Sequence, residues 1–110
     1  MKITFKYAPS EFEQPDDLRW LQLLENRLNA FRAEIVIGAD TETDIKIEAV
    51  ASEDRVQITQ LINDLMEEIT SEIEFNETPT LARMIIWEYY EELQPYLRTQ
   101  DEIMRIWLEI

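Results

Sequence analysis

The sequence predicts a single α+β domain over residues 1–110: a two-layer sandwich with about three helices on one face of a mainly antiparallel sheet of three to four strands. Three observations point there. Short stretches alternate apolar and polar residues, as half-buried strands do. Longer stretches space apolar residues three and four apart, as buried helix faces do. The two kinds follow one another in the order β-α-β-β-α-α-β, with no repeat, low-complexity run or linker between them. At 110 residues and 45% apolar content, the chain can bury a core without staples.

Ile3, Phe5 and Tyr7 alternate with Lys2, Thr4 and Lys6, which predicts a strand with one buried and one wet face. A loop follows from Ala8 to Gln14. Pro15 suits the first position of a helix, and Asp16 and Asp17 complement its positive end. Trp20, Leu21, Leu24, Leu28 and Phe31 form its apolar face, leaving Arg19, Arg27 and Arg32 off that face as bases that can serve the acidic residues downstream. Glu34 to Val50 reads as a hairpin: β-branched Ile35–Ile37, a loop from Gly38 to Asp44 containing the only glycine, then Ile45, Ile47 and Ala49 alternating with Lys46 and Glu48.

Ser52 is the expected N-cap of a long helix reaching about Phe75, whose buried face is Ile58, Leu61, Ile62, Leu65, Ile69 and Ile73. Thr78 and Pro79 signal a third helix through Leu81, Ala82, Ile85, Ile86, Tyr89, Tyr90 and Leu93, which Pro95 ends or kinks. Its wide apolar arc implies two packing partners or a binding face. In the tail, Met104, Ile106, Leu108 and Ile110 alternate with Arg105, Trp107 and Glu109, so a strand is expected, a short helix capped by Asp101 being the alternative.

Charge is the main functional clue. Of 24 acids and 10 bases, the stretch from Gly38 to Thr80 holds twelve acids against Lys46 and Arg55 alone, a net of −10 out of −14. Asp64, Glu68 and Glu72 fall one helical turn apart beside the apolar face, with Glu67 and Glu74 further round and no base among them. Like charges so spaced destabilise a helix by roughly 0.2–0.5 kcal/mol per pair, so the row needs a cation or a basic partner, or else serves as a solvated face. Strong acidity disfavours direct contact with nucleic acid or anionic membrane and favours basic proteins or metal ions.

Much chemistry is excluded. Without cysteine there are no disulfides, thiolate nucleophiles or Cys-based metal sites, and without histidine a proton shuttle at neutral pH needs a perturbed carboxylate or one of three lysines. Adjacent acids such as Glu67 and Glu68, or Glu91 and Glu92, diverge by about 100° on a helix and do not converge on a substrate. One glycine cannot build a phosphate loop. Asp40, Glu42 and Asp44 superficially resemble the start of a calcium loop, but Ile45 and Ala51 occupy the positions that need glycine and a bidentate acid, leaving at most a weak cation site. No cofactor and no catalytic residue is expected. The first ten residues lack a continuous apolar core and nothing reaches membrane-spanning length, so a soluble, cytoplasmic protein is expected.

The expectation is therefore a non-enzymatic acidic inhibitor whose carboxylates occupy a basic groove that a partner, such as a nuclease, uses for nucleic acid. Asp64, Glu67, Glu68 and Glu72 are the candidate contacts, with Asp40, Glu42 and Asp44 as a second patch and Trp87, on the polar side of the third helix, as an apolar anchor. Phage anti-defence proteins, anti-CRISPR proteins among them, and nuclease immunity proteins share this small, acidic, non-catalytic character; the comparison is one of type and rests on no motif. The alternatives are an assembly or adaptor protein that oligomerises through the apolar arc of the third helix, and salt adaptation of an ordinary domain.

Overall fold

The structure, a computed structural model, describes residues 1–76 and 84–108. Three strands, β1 (Lys2–Tyr7), β2 (Glu34–Ala39) and β3 (Asp44–Glu48), make a mixed sheet of order β2-β1-β3. β1 and β2 are parallel and β1 and β3 antiparallel, so the sheet is not mainly antiparallel as the sequence suggests. Helices are α1 (Pro15–Leu28), α2 (Ser52–Glu74), the single turn α3 (Ile86–Tyr89) and α4 (Gln100–Leu108). α1 and α2 pack on one face of the sheet, which gives the expected α+β layering.

The strand alternation settles which face is covered. Ile3, Phe5 and Ile47 are buried and Ile35, Ile37 and Ile45 half-buried against the helices, while Lys6, Glu34, Val36 and Lys46 face out. The core continues through Leu24 and Leu28 of α1 and Ile58, Leu61, Leu65 and Ile69 of α2, all fully buried. Each such side chain contributes roughly 1.5–3 kcal/mol through the water it leaves.

The expected hairpin between β2 and β3 does not form, because β1 lies between them. The chain does reverse at Asp40–Thr43, but it straddles the end of β1: Asp40 N–H donates to the Tyr7 carbonyl at 2.9 Å, and Ala8 N–H donates to Thr43 Oγ1 at 3.1 Å. Charge suits the observed order: Lys2 of the central strand stands opposite Glu34 on one side and Glu48 on the other, an opposite-charge pair at each edge.

Two further expectations fail. The long third helix is absent among the described residues: after α3 the chain runs through turns into a 3₁₀ turn at Gln94–Tyr96, and Thr78, Pro79, Leu81 and Ala82 lie outside the described residues. The tail is helical, not extended. Ile103 and Trp107, four apart, are its buried pair, Thr99 Oγ1 accepts Glu102 N–H at 3.3 Å, and Leu108 is 52% exposed, so the apolar alternation there is incidental. At α2, Ser52 is the first helical residue and Ala51 takes the cap position without a side-chain bond. No helix among the described residues is long and apolar enough to cross a membrane.

Candidate functional site

α2 rises 1.5 Å per residue over 23 residues, roughly 34 Å in all, and carries the four leading predicted contacts, Asp64, Glu67, Glu68 and Glu72. Its acidic row does not stay on one side. Residues four apart advance by about 40° around a helix, so the row from Asp64 through Glu68 to Glu72 winds toward the apolar stripe. Asp64 and Glu68 are half-buried at its edge, and Glu72 lies inside it.

Glu72 is therefore no partner contact. Both of its carboxylate oxygens accept from Arg27 Nη2 at 3.0 Å, and the two side chains are only 2% and 7% exposed. Arg27 Nη1 donates to Asn26 Oδ1 at 2.6 Å, its guanidinium lies 4.9 Å from the Trp107 ring centre, and Asn26 Nδ2 donates to the Ile106 carbonyl at 2.7 Å. This buried network ties α1, α2 and α4 together. Trp107, on the wet face if the tail were a strand, is instead core, its indole N–H without an acceptor among the described residues. The signal was present in the sequence: Arg27 follows Trp20 by seven residues and Leu24 by three, which puts it on the apolar face of α1.

Asp64 meets the C-terminal segment. Its Oδ2 accepts the Tyr89 hydroxyl at 2.6 Å and its Oδ1 accepts Gln60 Nε2 at 3.0 Å. The carboxylate acceptor, partial burial and the charges of Asp64, Glu88 and Glu92 push the Tyr89 hydroxyl up to about 12. Nearer the start of α2, Asp54 accepts the Tyr96 hydroxyl at 2.6 Å, and that bond raises the Tyr96 pKa. Two tyrosine hydroxyls thus fasten residues 89–96 along α2. The consequence is electrostatic: Glu88 and Glu92 are brought to the same neighbourhood as Asp64, with Glu67 exposed on the adjoining surface of α2. Among the described residues, none of Glu67, Glu88 and Glu92 has a basic partner.

Compared with protein-family models, curated proteins and solved structures, the chain matches none. Function is to be read from side-chain geometry alone.

The second predicted patch is exposed but partly neutralised. Asp40 pairs with Lys6 at 3.3 Å and accepts Thr41 N–H at 2.7 Å; that backbone bond, then Lys6, lower its pKa. Asp44 stands opposite Lys6 in the sheet, and Glu42 is exposed at the loop tip. These three do not converge as a cation cage, and no cluster of three or more ligating side chains able to hold a metal occurs among the described residues. Trp87 is only partly exposed, tilted against Tyr90 at 5.8 Å and packed on the core, so part of its ring at most is open to a partner. Ile86 and Leu93 from the expected apolar arc are themselves core residues, as is Met84 beside them.

Proposed function

We propose that the protein is a non-enzymatic inhibitor that presents an acidic face to a basic, nucleic-acid-binding surface of a partner protein. The observation that supports this reading best is the Tyr89–Asp64 hydrogen bond, which brings the charges of Asp64, Glu88 and Glu92 together around one hydroxyl. Asp64 and Glu67 on α2, joined by Glu88 and Glu92, form the contact surface, with Glu68 at its half-buried edge; Glu72 has no part in it. Asp40, Glu42 and Asp44 are a secondary contact, and the open edge of Trp87 an accessory one. A groove that neutralises phosphates carries Lys and Arg at a spacing such carboxylates can meet, so association is fast and weakens with salt. Phage anti-defence proteins, anti-CRISPR proteins among them, and nuclease immunity proteins are the class this mechanism suits.

The experiment is inhibition of DNA cleavage by a panel of RNA-guided and toxin nucleases at increasing salt. The double variant Glu67→Lys/Glu88→Lys is set against Glu25→Lys/Asp101→Lys, equal in charge change and placed elsewhere on exposed sites. The first should slow association on the order of tenfold or more at low salt, and the second far less. Equal losses for both pairs, or no enzyme inhibited, would sink the proposal.

A further inference from the structure

Between the 3₁₀ turn at Pro9–Glu11, the start of α1 and the end of α2 lies a cleft of about 460 Å³. Its interior is apolar and aromatic: Phe12, Trp20 and Ile73, all half-buried. The two rings are 5.8 Å apart and tilted by 44°. The indole N–H of Trp20 donates to Thr70 Oγ1 at 3.1 Å, and the Thr70 hydroxyl donates to the Met66 carbonyl at 3.0 Å, so the ring is held in place and its only donor is already used. Four carboxylates, Glu11, Asp16, Asp17 and Glu74, stand at the mouth, and no base lines it. Glu11 is fixed by the Thr43 hydroxyl at 2.7 Å and Asp17 by Gln14 N–H at 3.1 Å; Asp16 and Glu74 keep their acceptor oxygens open among the described residues.

Such a cleft offers π faces and four carboxylates but no free side-chain donor among its lining residues, so it disfavours anions and favours a cation with a flat, weakly hydrated body. Guanidinium meets both demands, stacking on an aromatic face while forking onto carboxylates, whereas an ammonium keeps its water and lies less well against a ring. We propose that this cleft receives an arginine side chain of the basic partner, an inference that rests on the acidic-face reading and gives it a specific anchor. Continuity supports a protein source. Glu74 follows Glu67 by two turns on the same exposed side of α2, so the cleft opens where the proposed contact surface ends. The volume also exceeds one side chain and leaves room for the residues flanking the arginine.

The test uses the full chain, nitrogen-15 labelled, with its three tryptophan indole signals as reporters. The probe is a short capped peptide with two arginines, compared with its lysine and citrulline counterparts and with spermidine. The arginine peptide should shift the Trp20 indole and the amides around Glu11–Asp17 and Thr70–Glu74, with a dissociation constant on the order of 1 mM. The lysine peptide should bind several-fold more weakly, the citrulline peptide should leave the signals in place, and Asp16→Asn/Glu74→Gln should weaken the arginine peptide roughly fivefold while lowering the melting temperature by no more than about 4 °C. Shifts confined to residues around Asp64 and Glu92 would overturn the cleft while leaving the acidic face standing; no shift anywhere would count against both. Equal response to citrulline, or preference for spermidine, would also overturn it.

Discussion

The buried Arg27–Glu72 pair gives the sharpest prediction. Glu72→Ala leaves a guanidinium that is 2% exposed with only Asn26 and the face of Trp107 for company. Removing one member of a buried pair costs about 3–5 kcal/mol, because the remaining charge stays desolvated. At about 4 °C per kcal/mol for a domain near this size, the melting temperature should fall by at least roughly 12 °C. Replacing both partners with apolar residues of similar volume, Arg27→Met with Glu72→Leu, should restore most of that loss, since a buried ion pair rarely outperforms good packing. Urea unfolding of the wild type, Arg27→Met, Glu72→Leu and their double variant, followed by tryptophan fluorescence, yields the coupling energy. A Glu72→Ala loss below about 1 kcal/mol, the level of an exposed pair, would refute the burial argument, and so would strict additivity in the double variant. The same logic warns that Glu72→Lys unfolds the protein and says nothing about partner binding.

Two further predictions concern local chemistry. The Tyr89 hydroxyl ionises at about 12 in the folded protein against about 10 in an unfolded chain, so its contribution is complete below about pH 10 and fades as pH rises toward 12. In Tyr89→Phe that part of the alkaline decline should vanish from stability measured by urea titration across pH 9–12, and an unchanged slope would remove the Asp64 bond as its cause. Ala49 sits at φ 58°, a left-handed conformation that disfavours a side chain, so Ala49→Gly should stabilise by roughly 0.5 kcal/mol once the greater freedom of unfolded glycine is subtracted; a loss in urea midpoint would contradict this.

What the sequence revealed was whatever depends on local period. β1, α1 and α2 appear where alternation and three-and-four spacing put them, and Pro15 begins α1 as expected, reinforced by a reciprocal Gln14–Asp17 cap. Pairing was not legible, because β1 meets β2 and β3 across more than thirty residues and local pattern cannot choose between neighbours of like character. The tail misled for a related reason: over nine residues, the apolar set Ile103, Ile106 and Trp107 fits a helix while Met104, Ile106 and Leu108 fits a strand, and only packing against α1 decides. At the site, Asp64 and Glu67 were read on the right element. The inward place of Glu72 follows from helical drift, which a straight row ignores, and the approach of Glu88 and Glu92 to Asp64 depends on a tertiary hydroxyl contact that no local pattern carries.

The order β2-β1-β3 has a consequence for synthesis. The middle strand leaves the ribosome before either neighbour, and its ladder cannot be completed until Glu48 has emerged. Until Glu34–Ala39 emerges the nascent segment carrying Ile3 and Phe5 has both edges unpaired, and until Glu48 follows it keeps one open, so the sheet closes around its oldest part only after the first helix has already been made.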